Sequence, residues 1–333
     1  MTGRLLVSDG GGSVSSQVLV TGAAGFIGSS LVDRLLDLDI DVLGIDNLST
    51  GQVKHLDHAQ RNKRFTFIER DLFVDDIRDC FHNIDVVFHL AANADVRFGL
   101  EHPKKDLEQN TLSTFNVLEG MRQAGVKKIV FSSTGSVYGE PSVVPTPENA
   151  PFPVQTSLYG ASKIASEALI SAYCEGFGMQ SWIFRFVSIL GERYSHGHVY
   201  DFYKKLRIDS SILPVLGDGC QRKSYLYIHD CIDAMLLALN QCHDYINIFN
   251  LGTDDYCQVS DSISWICSEL GVNPSLQFSG GPRGWVGDSP FIYLNTDRIR
   301  ALGWSPKVGI REGIIRTVRY LQQNEWLFEA RND

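Results

Sequence analysis

Short apolar runs alternate with amphipathic stretches over the first 190 residues of the chain. The first run, QVLVT at 17–21, precedes a stretch in which Ile27, Leu31, Leu35 and Leu38 recur at helical spacing. Further apolar runs of strand length lie at 41–46, 64–69, 85–91, 127–133 and 181–186, and longer helical patterns lie at 104–124 and 159–177. Strands that alternate with helices form a parallel sheet covered on both faces. The pattern therefore predicts a doubly wound, Rossmann-type α/β fold.

The regular alternation ends near residue 190. Beyond it we predict helices at 198–206, 230–240, 259–271 and 311–326, and strands at 224–228 and 246–252. Ser260 and Gly271 are residue types that cap the two ends of a helix, here the one at 259–271. These looser elements predict a smaller α/β region that binds the substrate.

Three regions follow from this organisation. Residues 1–16 are rich in glycine and serine and predict a flexible lead-in. We expect residues 17–190 to form a dinucleotide-binding domain, to which segments from about 224–252 return. Residues 191–333 are then mainly the substrate-binding region.

A glycine-rich turn, GAAGFIG at 22–28, joins the first predicted strand to the first predicted helix. Gly22, Gly25 and Gly28 follow the spacing GxxGxxG. Glycine allows a tight turn and lets backbone N–H groups approach a pyrophosphate at the N-terminus of the next helix. An ordinary glycine-rich turn is the alternative, but the position between a strand and a helix is the one that a dinucleotide site requires.

Acidic residues follow the second and third predicted strands. Asp46 ends the second strand, where a carboxylate can accept hydrogen bonds from the adenosine ribose hydroxyls and repel a 2′-phosphate. Because Asn47 follows rather than arginine, NAD is favoured over NADP. Asp71 and Leu72, after the third strand, are expected by the same logic to flank the adenine. A solvated aspartate at a strand end is the alternative for Asp46.

Tyr159 and Lys163 form a YxxxK pair on the predicted helix 159–177. Residues four apart share one helix face, and an ammonium beside a phenol stabilises the phenolate and lowers its pKa. Tyr159 is therefore a candidate general base. Thr134, at the end of the fifth predicted strand, offers a hydroxyl beside that phenol. A solvated Tyr/Lys helix face is the alternative interpretation.

Composition narrows the choice of partners. The net charge of −9 argues against broad binding to nucleic acid or to an anionic membrane. No apolar run reaches the roughly 20 residues needed to span a bilayer, and no secretory signal pattern opens the chain. Seven scattered cysteines without a CxxC spacing predict reduced thiols and a cytoplasmic location. No residue spacing predicts a metal site.

Four motifs together resemble the extended short-chain dehydrogenase/reductase family: TGAAGFIG, HLAA at 89–92, SSTGSVYG and YGASK. Within that family the chain is most similar to nucleotide-sugar epimerases of the UDP-glucose 4-epimerase type, and the likeness begins at Gln17. The resemblance implies an NAD-dependent enzyme that oxidises a nucleotide-diphosphate sugar at C4 and reduces the 4-keto intermediate on its other face. It also implies a homodimer formed through the helices 104–124 and 156–177.

The resemblance implies a role for individual residues. Tyr159 would take the proton of the sugar 4-hydroxyl while hydride leaves C4, Lys163 would tune Tyr159 and bind the nicotinamide ribose, and Thr134 would hydrogen-bond the 4-oxygen. Asn110 matches a helix asparagine that we expect to be structural. The matching cofactor positions are Gly22, Gly25, Phe26, Ile27, Gly28, Leu90, Ala91, Ala92 and Ser132.

The sugar-nucleotide end departs from the family's pattern. Arg222 or Lys223, and Arg283, are candidates for the diphosphate. Ser188 stands where the epimerases usually have asparagine, so the sugar contacts there have changed.

Other departures bear on the reaction. Gly135 and Ser136 replace the Asp-Glu pair of the family's dehydratases, which disfavours a 4,6-dehydratase. A 4-dehydrogenase that releases the keto sugar, and an NAD-binding scaffold or sensor without activity, remain alternatives.

Overall fold

The computed structural model describes residues 17–93, 98–152, 154–284 and 291–329. The predicted lead-in at 1–16 lies outside this part of the chain. Seven strands form the central sheet: β1 Gln17–Thr21, β2 Asp41–Asp46, β3 Phe65–Glu69, β4 Val86–His89, β5 Lys128–Thr134, β6 Gln180–Phe186 and β11 Ile246–Leu251.

All neighbouring strands of this sheet are parallel, in the order β11-β6-β5-β4-β1-β2-β3. The order reverses between β1 and β4, because β2 lies on one side of β1 and β4 on the other. In open α/β sheets, ligands bind at the carboxyl ends of the strands beside such a reversal. The doubly wound fold is confirmed, and β11 from the second half of the chain completes the sheet next to β6.

Helices connect these strands and cover both faces. They are α1 Phe26–Leu36, α2 Phe98–Glu101, α3 Pro103–Asp106, α4 Ser113–Ala124, α5 Leu158–Phe177, α6 His198–Ile208, α7 Ile228–Gln241, α8 Val259–Leu270, α9 Asp297–Arg300, α10 Ile310–Gln323 and α11 Trp326–Glu329. Short 3₁₀ turns occur at Val53–Leu56, Ala59–Arg61, Arg78–Phe81 and Gly135–Tyr138.

The predicted helix at 104–124 is not one regular helix. A π-helical turn at Leu107–Leu112 separates α3 from α4. The helix ends at Gly125, whose φ of 79° is the left-handed conformation that glycine adopts without strain, as the sequence predicts. Amphipathic spacing alone did not reveal the interruption, since a π-turn adds only one residue to the repeat.

Seven short strands build the smaller region: β7 Ser188–Leu190, β8 Ile212–Val215, β9 Arg222–Lys223, β10 Tyr225–Tyr227, β12 Cys257–Gln258, β13 Ser275–Phe278 and β14 Phe291–Ile292. They pair as β10-β7, β12-β9-β14 and β13-β8. Ser260 does not cap α8, because the helix begins at Val259 and the Asp261 carboxylate accepts the backbone N–H of Gln258 at 2.9 Å. Gly271 ends that helix in the left-handed conformation, as predicted.

The apolar core lies on both faces of the large sheet. Val18 and Val20 of β1 belong to one buried cluster, and Leu19 between them belongs to the other. Successive side chains of a strand point to opposite faces, so an apolar run buries residues on both sides. Within the described residues, no helix has the length and apolar character needed to cross a membrane.

Candidate active site

The turn between β1 and α1 is too tight for side chains at two of its glycines. Gly22 has a φ of +70°, and a Cβ added there would lie 2.8 Å from the backbone nitrogen of Ala91. A Cβ on Gly28 would lie 1.9 Å from the carbonyl oxygen of Gly22. The helix that starts at Phe26 has no side-chain cap, so its first N–H groups are available to an anion. This cradle fits a dinucleotide pyrophosphate.

The Asp46 carboxylate lies directly behind this turn at the end of β2. Its oxygens accept the backbone N–H of Ala24 at 2.9 Å and of Leu48 at 2.8 Å. Burial raises the pKa of Asp46, while these hydrogen bonds act in the opposite direction. Each carboxylate oxygen has a further lone pair. Asp46 therefore fixes the turn and keeps acceptor capacity for a ribose hydroxyl.

Asp71 joins three segments at the adenosine side of the site. Asn47 donates its side-chain amide to Asp71 at 2.7 Å, and Gln109 of the π-turn donates at 3.3 Å. Burial acts to raise the pKa of Asp71, but hydrogen bonds from Asn47, Phe73 and Gln109 hold it below its ordinary value. The sequence identified Asn47 and Asp71 as candidate cofactor residues but did not identify Gln109. Its neighbour Asn110, which matches the family's helix asparagine, was the sequence feature that pointed to this segment.

The exit of β4, with Leu90, Ala91 and Ala92, lies against the glycine turn. Leu90 donates its N–H to the Thr21 carbonyl at 3.2 Å, and Ala91 donates to the Thr21 hydroxyl at 3.3 Å. All three are half-buried. Leu72, in contrast, is buried in the core.

Thr134, Tyr159 and Lys163 occupy the carboxyl end of β5 and the first two turns of α5. Ser157 caps α5 by accepting the N–H of Gly160 at 3.0 Å. The Lys163 ammonium donates to the Ser132 carbonyl at 2.8 Å and lies 4.7 Å from the centre of the Phe131 ring. Residues 31 positions apart in sequence are thus fixed to one another.

Burial dominates the ionisation of this pair. It raises the pKa of Tyr159 to about 12, although a hydrogen bond with Thr134 acts to lower it. It lowers the pKa of Lys163 to about 7, against the carboxylates of Glu167 and Asp106. The expectation that the lysine lowers the phenol pKa is wrong for the protein alone, because burial is the largest influence on Tyr159 and the Asp106 charge adds to it. The ammonium is held by the Ser132 carbonyl rather than by the phenol.

Gly135 and Ser136 follow Thr134 in a 3₁₀ turn. Thr134 accepts the N–H of Ser136 at 3.1 Å and donates its hydroxyl to the Ser136 hydroxyl at 3.2 Å. A Cβ on Gly135 would lie 2.6 Å from the Ile292 side chain. The chain therefore presents hydroxyl groups and no carboxylic acid at these positions.

The sequence missed a set of buried polar residues behind the site. The two ring nitrogens of His89 form hydrogen bonds with the hydroxyls of Thr21 at 2.8 Å and of Thr114 at 3.0 Å. Burial lowers the pKa of His89 to about 3. Asp106 accepts the side-chain amide of Asn93 at 2.9 Å. Periodicity could not identify these residues, because their burial depends on how separate elements pack.

Asn110 supports the site, as expected for a structural residue. Its side-chain oxygen accepts the N–H of Asn93 at 2.8 Å, and its amide donates to Ser162 on α5 at 2.8 Å. The π-turn thereby connects β4 to the helix that carries the tyrosine and the lysine.

The structure separates the candidate diphosphate residues. Arg222 and Lys223 are adjacent on β9, so their side chains point to opposite faces. The Arg222 guanidinium lies 3.9 Å from the centre of the Phe291 ring. Arg283 forms an ion pair with Glu140, which lies just beyond β5 and the turn at Gly135–Tyr138. Ser188 is exposed at the start of β7.

A cavity elsewhere on the molecule contains none of these residues. It measures about 700 Å³ and lies between α1, α7 and α10, with Asp33, His55, Arg193 and Trp326 among its lining residues. We assign the site from side-chain chemistry and the strand reversal.

Comparison with known proteins agrees with this geometry. Residues 18–252 match the NAD dependent epimerase/dehydratase family. A putative UDP-glucose 4-epimerase of Methanocaldococcus jannaschii is 35% identical over 92% of this chain and 99% of its own length. A crystal structure of a UDP-galactose 4-epimerase superposes with a TM-score of 0.84 at 36% identity, over 93% of this chain and 100% of its own.

A UDP-glucuronic acid 4-epimerase from Bacillus cereus, solved with UDP-glucuronic acid and NAD, is similar to this chain as well. It has a TM-score of 0.84 at 29% identity, over 92% of this chain and 99% of its own. The relatives thus share the fold and differ in the sugar that their names state.

Proposed function

The chain belongs to the NAD-dependent epimerase/dehydratase family, and on that premise we propose that it is a nucleotide-sugar 4-epimerase of the UDP-glucose/UDP-galactose type. The observation that carries the proposal is the convergence of Thr134, Tyr159 and Lys163 at the carboxyl end of β5, the same edge of the parallel sheet from which the glycine turn leaves β1. This arrangement suits removal of a proton from a sugar hydroxyl and of a hydride from the carbon that bears it.

The residues around the turn fit NAD. Gly22, Gly25, Phe26, Ile27 and Gly28 would hold its pyrophosphate, and Asp46, Asn47 and Asp71 its adenosine, with Leu90, Ala91, Ala92, Ser132, Tyr159 and Lys163 toward the nicotinamide. When bound, NAD supplies a hydride acceptor that later returns the hydride to the sugar.

Tyr159 acts as the general base on the sugar 4-hydroxyl and returns the proton when the 4-keto intermediate is reduced. Thr134 hydrogen-bonds the 4-oxygen and holds it beside the phenol. Because its pKa is about 12 in the protein alone, Tyr159 is protonated at neutral pH. We expect the phenolate to form only with cofactor bound, since Lys163 would then hold the nicotinamide ribose and added positive charge near the phenol would favour its ionised form.

The residues after Thr134 favour epimerisation over dehydration. Elimination of water from C5 and C6 needs an acid and a base, and Gly135 and Ser136 supply neither. The Ser136 hydroxyl is already hydrogen-bonded to Thr134. In the proposed reaction the keto sugar is retained and reduced on its other face.

For the substrate we propose a uridine diphosphate sugar. We assign Lys223 and Arg283 to its diphosphate and Ser188 to the sugar. Arg222 is the weaker candidate, because its guanidinium lies on the Phe291 ring. We assign residues 17–190 with β11 to NAD and residues 191–333 mainly to the substrate.

We also propose a cytoplasmic homodimer. Leu107 of the π-turn, Phe115 of α4, and Leu158 and Phe177 of α5 are exposed apolar side chains on the two helices that the resemblance assigns to the interface. Two copies could bury these side chains against one another. All seven cysteines are free thiols, which is consistent with a reducing compartment.

A turnover assay tests the reaction. We expect UDP-glucose, UDP-glucuronic acid or UDP-N-acetylglucosamine, incubated with enzyme and NAD, to yield the corresponding C4 epimer, followed by proton NMR. Accumulation of a 4-keto sugar with stoichiometric NADH and no epimer would instead identify a 4-dehydrogenase. Loss of the C6 hydroxyl would identify a dehydratase.

Replacing Tyr159 with phenylalanine tests the base. Tyr159→Phe should lower kcat by about 10²–10⁴, since positioned proton transfer contributes a factor of that size. NAD affinity, measured by calorimetry, should change little. Tyr173→Phe on the same helix is the control, because that hydroxyl donates to Glu119 on the surface. Equal kcat in Tyr159→Phe and the wild type would remove Tyr159 from the mechanism.

A further inference from the structure

A buried ion pair crosses three elements directly behind the catalytic residues. Arg185 of β6 and Glu167 of α5 form two hydrogen bonds, at 2.7 and 3.1 Å, and both side chains are at least 94% buried. The Ser133 hydroxyl of β5 donates to the same carboxylate. The strands are in register here, with Ser133 opposite Arg185.

Each end of this pair lies next to a catalytic residue. Glu167 is four residues after Lys163, so the two side chains share one face of α5. Ser133 lies between Ser132, whose carbonyl accepts the Lys163 ammonium, and Thr134. A shift of α5 along β5 would therefore break the contact between Lys163 and the Ser132 carbonyl. It would also move Lys163 relative to Thr134.

The pair also reaches the segment that follows Thr134. Arg185 donates to the Tyr138 hydroxyl at 2.6 Å and to the Glu148 carbonyl at 2.9 Å. Tyr138 in turn donates to Asn250 of β11 at 2.9 Å. A guanidinium with donors fixed in a plane holds these groups in one geometry.

A buried ion pair is poor evidence for stability, because removing two charges from water costs about as much as their attraction returns. A positioning role accounts better for its place. We propose that the Glu167–Arg185 pair is a positioning device for the reaction. Glu167 belongs to α5 and accepts a hydrogen bond from Ser133 of β5, so the pair keeps Lys163 on the helix in register with Thr134 on the strand. This inference rests on the proposed function.

The charge of Glu167 has a second consequence. The groups that face Lys163 are Glu167 on α5, Asp106 on α3 and the neutral His89 on β4. Burial lowers the Lys163 pKa to about 7, and the two carboxylates oppose that shift. Without the Glu167 charge, the Lys163 ammonium would lose its proton at lower pH.

Three variants of the full-length enzyme in complex with NAD test the proposal. Glu167→Gln keeps the shape and removes the charge, Ser133→Ala removes only the strand contact, and Arg185→Met removes the partner. We expect kcat to fall at least tenfold in Glu167→Gln and severalfold in Ser133→Ala, with KM changed less than threefold. The pH limb that reports Lys163 should move to lower pH in Glu167→Gln.

Glu119→Gln and Ser171→Ala are matched controls. Glu119 pairs with Arg122 on the surface, and the Ser171 hydroxyl donates to the Glu167 backbone carbonyl at 2.8 Å rather than to the Glu167 carboxylate. Both should keep wild-type kcat. A lower melting temperature with unchanged kcat and pH profile in Glu167→Gln and Ser133→Ala would show a purely structural pair and overturn the proposal.

Glu167→Gln and Arg185→Met each leave one buried group without its charged partner, so Ser133→Ala is the variant expected to fold in every case. If the wild type turns over none of the sugars, the proposed function fails. NMR of the ¹⁵N-labelled lysines then still measures whether Glu167 affects the ionisation of Lys163. The resonance missing in Lys163→Met should titrate at least one pH unit lower in Glu167→Gln. An unchanged titration would overturn the inference by itself.

Discussion

Gly28 shows how a single atom at one residue controls the cofactor turn. A Cβ there would lie 1.9 Å from the Gly22 carbonyl oxygen, a distance that no packed structure accepts without backbone movement. The close approach of α1 to the turn brings the helix N-terminus to the pyrophosphate position. The residue's role is therefore steric.

Gly28→Ala should weaken NAD binding at least tenfold, because the turn must open to accommodate the methyl group. Calorimetric titration with NAD measures the change. Gly176→Ala in α5 is the control, since nothing lies within 4 Å of its added Cβ. In a helix interior that change should stabilise the protein by about 0.5–1 kcal/mol. Wild-type NAD affinity in Gly28→Ala would contradict the steric argument.

At the scale of elements, the π-turn at Leu107–Leu112 connects the two ends of the site. Gln109 donates to Asp71 on the adenosine side, and the next residue, Asn110, donates to Ser162 on α5. Adjacent residues of a helix point about 100° apart, so one turn can serve both directions. π-turns occur frequently at functional sites, and this one has a defined geometric task.

Asn110→Leu should destabilise the protein by about 1–3 kcal/mol. The backbone N–H of Asn93 would be buried without its acceptor, and an unsatisfied buried donor costs about that much. Urea unfolding monitored by circular dichroism gives the value. Gln123→Leu, at an exposed position of α4, should change stability by less than about 0.5 kcal/mol. Equal effects of the two substitutions would show that the π-turn contact contributes nothing.

At the scale of the whole molecule, the separate elements bury histidines in several places. Burial lowers the pKa of His55 to about 4, and that of His89 and His198 to about 3. These rings stay neutral in the folded protein at a pH where the unfolded chain, with a histidine pKa near 6.5, binds protons. The unfolded state therefore gains protons that the folded state does not.

Stability should consequently fall as the pH is lowered from about 6.5 to 5. Each buried histidine contributes up to about 1.4 kcal/mol per pH unit in that window. The pKa of His229 is raised by its hydrogen bond to Glu192, so this ring is charged in the folded and the unfolded protein over most of this pH range. It therefore adds little to the pH dependence of stability there. Urea unfolding at pH 7.5, 6 and 5 measures the slope. His89→Gln removes one of these protons and should therefore reduce the slope of unfolding free energy against pH. Equal stability of the wild type at pH 7.5 and 5 would contradict the burial argument.

The sequence by itself determined the elements and the motif residues. The apolar runs, the glycine spacing and the YxxxK pair depend on residues that are neighbours along the chain, since backbone sterics and helix geometry act over a few positions. Thus β1 to β6, α1 and α5 lie within about two residues of their predicted ranges. The same local patterns carried the resemblance to the family.

Only the tertiary structure decided what depends on distant contacts. It joined β11 to β6, interrupted the predicted helix before α4, and brought Glu167 and Arg185 together behind Thr134. It also reversed the expected shift of the Tyr159 pKa, because burial and the position of a neighbouring charge set that value. No local pattern encodes burial of this kind, which arises only when separate segments pack.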